Sequence, residues 1–231
     1  MSGVNHYNTK GLYTRYDKNH KERDKLDYYS TPTEEVYNIL NTLNIDFSNS
    51  VILEPCAGEG HMAAAIINYI EDKEMENVIL TCTDVCPRYS KFQGVAISGG
   101  LKFDFLADEY TDSLNEILPN TKIDWIIMNP PYSIIEPFVI RALEIAQKGV
   151  IMLGRTQFLE GQGRYENIFI HNPPSEVYTY VDRIQCYKNG DTNISGSSAQ
   201  AYSWFIWDKE ADHKFTIHDW IRRSDKLTNN K

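Results

Sequence analysis

Apolar residues gather in short runs separated by polar turns, and the runs alternate between two periodicities. From Thr33 onward, Val36, Ile39, Leu40 and Leu43 recur at helical spacing, with Thr31-Pro32 marking the start. Val51-Ile52-Leu53 is a compact apolar run that predicts a buried strand, followed by a turn rich in small residues and a helix over about 60–71. Val78 to Thr83 predicts the next strand, and Lys102 to Phe105 another. Ile123 to Met128 is a further strand, closed by Asn129-Pro130-Pro131-Tyr132. A helix over about 134–147 leads to a strand over Val150–Leu153. After a Gly-containing stretch, strands are predicted near Val177–Val181 and Tyr202–Trp207, with no helix between them.

Strands alternating with helices imply an α/β fold with a mainly parallel sheet covered on both faces, and the two late strands imply an antiparallel hairpin at its end. Residues 1–26 are polar and aperiodic and are expected to form a flexible arm; residues 27–231 are expected to form one domain. Asn189 to Gln200 reads as a mobile loop. No internal repeat is evident.

Composition narrows the class. A hydrophobic content of 42% fits a globular protein, and no apolar run approaches the roughly 20 residues of a membrane helix. The N-terminus carries no signal-peptide core, so a cytoplasmic protein is expected. Cys56, Cys82, Cys86 and Cys186 are too scattered for a disulfide framework. Cys82 and Cys86 lack a matching His or Cys pair, so buried thiols are expected and no metal. A net charge of −9 argues against a protein that coats nucleic acid non-specifically. The arm differs: residues 1–26 hold six Lys and Arg against three acids, which suits either a solvated tail or contact with phosphates.

Four groups of residues carry the candidate chemistry. Glu54-Pro55-Cys56-Ala57-Gly58-Glu59-Gly60 lies between a strand and a helix. Gly58 and Gly60 allow a sharp turn and close backbone approach to a ligand, and the helix offers its N-terminus to it. The turn is neither a P-loop nor a dinucleotide G-x-G-x-x-G, because no Gly-Lys-Ser/Thr follows and the third Gly is absent. Asp84 ends the next strand, where an acid either accepts both hydroxyls of a ribose or caps a turn. Asp104-Phe105 either holds an adenine, by carboxylate and stacking ring, or is a solvent acid beside a core ring. Asn129-Pro130-Pro131-Tyr132 is the strongest of the four. Two prolines fix a rigid extended turn that cannot donate backbone hydrogen bonds. The Asn129 side-chain oxygen and the Pro130 carbonyl can together hold the two hydrogens of an –NH2 group, while Tyr132 stacks on the base that carries it. Asn172-Pro173-Pro174 is followed by Ser175 and has no cofactor turn ahead of it, so it reads as a structural turn.

At these residues the chain resembles the S-adenosylmethionine-dependent amino-methyltransferases of DNA, of the NPPY kind in which motif X precedes motif I. Tyr29-Ser30-Thr31-Pro32 looks like motif X, bordering the methionine end of the cofactor. Val51 to Gly60 looks like motif I, with Glu54 near the methionine amine and Pro55, Ala57, Gly58 and Gly60 in the cofactor turn. Asp84-Val85 resembles the ribose motif and Asp104-Phe105 the adenine motif. Asn129, Pro130, Pro131 and Tyr132 match the catalytic motif, and Lys148 to Leu153 resembles the strand after it. The match runs over about residues 28–155. A looser resemblance to small phage-type members covers Arg155, Phe158, Arg164, Arg183 and Ala201 to Trp207; the four residues from Arg155 to Arg183 are implied substrate contacts.

The resemblance implies a Rossmann-like methyltransferase fold without a separate target-recognition domain. It also implies S-adenosyl-L-methionine as cofactor, DNA as partner, and direct methyl transfer to the N6 of adenine with no covalent enzyme intermediate. Recognition would then fall to the arm, to residues 155–165 and to the 185–200 loop. Rival readings are methylation of an RNA base or a protein glutamine, and a catalytically silent cofactor-fold binding protein.

Overall fold

The computed structural model describes residues 28–86, 98–188, 200–212 and 215–229. The expected arm and nearly all of the 189–200 loop lie outside them. The elements are β1 (Tyr29–Ser30), α1 (Thr33–Leu43), β2 (Val51–Glu54), α2 (His61–Asp72), β3 (Ile79–Asp84), β4 (Ser98–Lys102) and α3 (Tyr110–Ile117). There follow β5 (Trp125–Met128), α4 (Ile135–Ile145), β6 (Gly149–Arg155), β7 (Glu176–Tyr180), β8 (Tyr187–Lys188), β9 (Tyr202–Asp208) and β10 (Ile217–Ile221).

Eight strands form one sheet in the order β10-β7-β9-β6-β5-β2-β3-β4. Strands β2 to β6 pair in parallel, whereas β9 runs antiparallel to both β6 and β7. The expected parallel sheet with an antiparallel pair at its C-terminal end is therefore present. The edge strand β10, parallel to β7, has no counterpart in the sequence reading.

The central strands are apolar on both faces because both faces are covered. Side chains alternate across a strand. Ile52, Trp125, Ile127, Ile151, Leu153, Trp204 and Ile206 thus join the core beneath α1 and α2. Their neighbours Leu53, Ile126, Met128, Val150, Met152, Phe205 and Trp207 join the core beneath α3 and α4. The helical spacing from Val36 buries Val36, Ile39 and Leu40, and α1 ends where Asn44 turns left-handed at φ 50°.

Two features of this topology position the site. From β2 the chain runs outward through β3 and β4, then returns to place β5 on the other side of β2. Open α/β sheets bind ligands at such a reversal, past the carboxyl ends of the strands. Residues Glu54 and Met128 end the two strands there. The second feature is a strap: β1 pairs only with β8, as a two-stranded ribbon outside the main sheet. Residues after β1 continue into α1, which is tied to the C-terminal segment. Glu35 accepts hydrogen bonds from the Ser224 N–H and hydroxyl, and Asn38 donates to the Arg222 carbonyl.

Candidate active site

The Gly-containing turn after β2 is held from three directions. Ala57 donates its N–H to the Thr83 carbonyl at 3.0 Å, which pins the turn to the end of β3. The Gly58 N–H donates to Asp84 Oδ2 at 2.7 Å, and the other oxygen of Asp84 accepts the Cys86 N–H at 2.7 Å. The Glu59 N–H donates to the Tyr28 hydroxyl at 3.2 Å. Both glycines are left-handed, Gly58 at φ 54° and Gly60 at φ 81°, where a Cβ is strained. A Cβ on Gly58 would also lie 2.2 Å from the Tyr28 ring. Gly60 caps α2, whose N-terminus opens directly from the turn.

Asp84 therefore shapes the turn as a carboxylate anchor, the role that sequence reasoning offered as the alternative to ribose binding. Each oxygen keeps a second lone pair, so the two roles are compatible. Tyr28 was not singled out in the sequence; as the residue just before motif X it was within reach of that argument.

Behind the turn lies a buried acid. Glu54 is almost wholly enclosed, with the Cys82 thiol 3.7 Å from Oε2. Burial pushes its pKa up to about 8, with the nearby Asp84 carboxylate adding to the rise and the Cys82 contact opposing it. Burial likewise raises the Cys56 thiol well above its ordinary value, so Cys56 is no thiolate nucleophile.

The Asn129 turn closes the opposite side. Asn129 Nδ2 donates to the Thr31 hydroxyl at 2.9 Å and to the Tyr29 carbonyl at 3.3 Å. A carbonyl only accepts, so the amide orientation is fixed: nitrogen toward the strap, Oδ1 away from it. Pro131 adopts φ −56° and ψ 124°, and its carbonyl accepts the Ile134 N–H. Among the described residues no donor reaches Asn129 Oδ1 or the Pro130 carbonyl, which leaves two acceptors side by side in the chain. Asn172-Pro173-Pro174 is the internal contrast. Its Asn172 carbonyl accepts from Trp207 Nε1 and its Pro174 carbonyl from Thr216, so this second turn is structural, as expected.

The half-buried Tyr132 ring sits among Tyr29 (centroids 5.4 Å apart), Tyr202 (5.9 Å) and the Arg155 guanidinium, 4.7 Å over its centroid. Its hydroxyl is buried near Cys186 and the Tyr202 hydroxyl without hydrogen-bond geometry to either, and burial raises its pKa well above the ordinary value.

The remaining candidates divide. Ser30 and Thr31 are buried in the strap, and the Pro32 carbonyl starts α1 by accepting the Glu35 N–H. Pro55 is buried behind the turn and Val85 is half-buried beyond β3. Asp104 accepts the Leu106 N–H in a tight turn. Two aromatic expectations need correction. Phe105 is 2% exposed and packs edge-on against Tyr110, and Phe158 is 3% exposed among Phe169, Phe205 and Trp207. Both rings belong to the core, because packing apolar surface there outweighs any surface role. Half-buried Phe103, not Phe105, is the exposed ring beside Asp104. Arg164 folds back over Phe158 onto the carbonyls of its own segment, so it does not join the Asn129 site. Exposed Arg183 gives its carbonyl to Arg223. Among the described residues no group of metal-ligating side chains occurs, and no helix is long and apolar enough to cross a membrane.

No family model and no curated protein sequence matches the chain. Solved structures do. One is a protein from Listeria monocytogenes assigned to the class I S-adenosylmethionine-dependent methyltransferases. It matches with a TM-score of 0.59 and 14% identity, over 92% of this chain and 72% of that one. The methyltransferase subunit of a type I restriction-modification system from Streptococcus thermophilus matches with a TM-score of 0.59 and 12% identity. That match covers 97% of this chain and 54% of the subunit, so the chain spans about half its length. An ATP-dependent Type ISP restriction-modification enzyme bound to DNA matches at 0.57 and 15% identity, over 96% of this chain and 22% of the enzyme. At these identities the likeness is one of fold: the chain has the Rossmann-like methyltransferase fold.

Proposed function

We propose that the chain transfers a methyl group from S-adenosylmethionine to the exocyclic N6 amine of adenine in DNA. The observation that carries this is the locked Asn129 amide. Its nitrogen is held by Thr31 and Tyr29, which leaves Oδ1 and the Pro130 carbonyl as paired acceptors. They stand at the end of β5, next to the strand that leads into the Gly58 turn.

The residues present suit the cofactor. The left-handed turn at Gly58 and Gly60 and the N-terminus of α2 form a surface without side chains, on which a nucleoside can lie. Glu54, buried beside Asp84, suits a ligand ammonium, which would favour its ionised form. Asp84 retains lone pairs for ribose hydroxyls. When bound, the cofactor supplies a methyl on a positively charged sulfur, and S-adenosylhomocysteine is the leaving group.

The chain's own part is positional. Asn129 Oδ1 and the Pro130 carbonyl each accept one amine hydrogen, which directs the nitrogen lone pair toward the methyl carbon. As the N–C bond forms and the C–S bond breaks, the positive charge on nitrogen spreads onto those two oxygens. The amine proton then leaves to solvent, so no protein nucleophile takes part. An adenine in duplex DNA must leave the stack to reach Asn129.

The expected arm and the loop over 189–200 are where DNA contact is proposed. Methyl-labelled cofactor incubated with DNA, RNA and protein, followed by nucleoside and amino-acid analysis, tests the proposal. Labelled N6-methyldeoxyadenosine is expected. Label only in an RNA base or in glutamine would move the same chemistry to that substrate, and no transfer at all would leave a binding protein.

A further inference from the structure

Tyr132 is already covered. Arg155 is the last residue of β6 and pairs across the sheet with Tyr202, which brings its guanidinium over the Tyr132 ring at 4.7 Å. Arg155 Nε is buried without a hydrogen-bond partner. Among the described residues no carboxylate forms an ion pair with it. A planar cation is thus held by aromatic faces alone, a placement that loses hydration without regaining hydrogen bonds. Such a group is readily displaced.

A stacked base would need the same space. Bases and guanidinium groups are both flat and both stack on aromatic rings at van der Waals separation, so one face of Tyr132 accommodates only one of them. The reaction proposed above also places positive charge on the amine nitrogen, which a second cation in the same cage would oppose. Of the groups around Tyr132, Tyr29 is the less able to yield, because its carbonyl holds Asn129 and its backbone pairs with β8. Arg155 is a side chain on three rotatable methylenes.

We propose that Arg155 is a resident stand-in for the target base: its guanidinium covers Tyr132 until an incoming base displaces it. The proposal rests on the methyl-transfer reading. It makes Arg155 a gate on substrate entry rather than a substrate clamp.

The test compares the wild-type chain with Arg155→Ala and Arg155→Gln, reading affinity for a fluorescent single-stranded oligodeoxyadenylate with S-adenosylhomocysteine present. Both variants should bind about three-fold tighter or more, the range expected for removing a competing cation–π contact. Millimolar guanidinium chloride, against equal sodium chloride, should reverse the gain in Arg155→Ala and leave the wild type unchanged. Weaker or unchanged binding by variants that melt like the wild type overturns the gate. If the wild type neither binds the oligonucleotide nor methylates DNA, the methyl-transfer reading fails instead. The cage is then judged by melting temperature: Arg155→Ala should be stabilised by millimolar guanidinium relative to sodium, and an equal response of both proteins overturns it.

Discussion

Asn129 donates its side-chain amide to the Thr31 hydroxyl at 2.9 Å, so a residue 98 positions earlier in the chain aims the group proposed to hold the reacting amine. The roles of the two residues separate in kinetics. Asn129→Ala removes an acceptor of the transition-state charge and should lower kcat by at least about 100-fold, with cofactor affinity near normal. Thr31→Val keeps the shape and loses one orienting hydrogen bond, worth about 0.5–1.5 kcal/mol, so kcat should fall by roughly 2- to 12-fold. Thr31→Ser should restore it. Single-turnover rates alongside melting curves check this, and a well-folded Asn129→Ala enzyme at wild-type rate defeats the mechanism.

At Gly58, φ 54° and the Tyr28 ring both exclude a side chain. Gly58→Ala should cost about 1 kcal/mol or more of stability, and Gly58→Val more, because β-branching disfavours this conformation further. Both should abolish cofactor binding in calorimetry while circular dichroism shows the fold retained. Asp84→Ala removes the acceptor for two backbone N–H groups as well as the proposed ribose contact. It should lower stability and cofactor affinity together, whereas a loss of affinity alone would show that the turn stands without it.

Glu54 makes stability and cofactor binding depend on pH. Its pKa is pushed from 4.5 to about 8 in the folded chain, chiefly by burial, so between those values the folded state holds a proton that the unfolded state has released. Stability should therefore fall as pH rises through this window, and Glu54→Gln should flatten the slope. A cofactor ammonium beside Glu54 favours the carboxylate, so binding near neutral pH should release a proton. Calorimetry in buffers of different ionisation enthalpy measures that release, and an identical value for Glu54→Gln would place the ammonium elsewhere.

The buried Tyr132 hydroxyl has no hydrogen-bond partner. Removing an unpaired hydroxyl from a buried place costs little, so Tyr132→Phe should stay within about 1 kcal/mol of wild-type stability, or exceed it, and remain active. Tyr132→Ala removes the ring, and base–aromatic stacking worth about 1–3 kcal/mol goes with it. Initial rates on duplex and single-stranded DNA should show the larger loss on duplex; equal loss on both would argue against a role in holding an extruded base.

The sheet was legible because its strands are doubly buried. Runs such as Ile123–Met128 and Tyr202–Trp207 are apolar at every step, which only a covered sheet permits. The strand β10 was not, because four of its five residues are exposed and carry no alternation. The helix α3 was hidden likewise, since it buries only Tyr110 and Leu114. Within the site, the two Asn-Pro-Pro turns were told apart by their neighbours, and the carbonyl partners agree with that reading. Side-chain direction was not legible. Nothing local states whether Phe105 or Phe103 faces inward, or that Phe158 joins the aromatic core; those choices depend on the helices packed above them. Tyr28 escaped notice because its significance lies in the space over Gly58, 30 positions away.

The carboxylate of Glu35, buried in α1, finds its described partners at Ser224, 189 residues later, and Asn38 finds its own at Arg222, 184 residues later. Contacts of such separation close the largest loops in the chain, and loop closure is what slows folding. During synthesis the N-terminal segment emerges first, yet the helix that continues from the Thr31 strap cannot satisfy its buried acid until the final strand has left the ribosome. The strap and the Asn129 amide it orients are thus completed at the end of translation, which keeps a partly made chain from methylating anything.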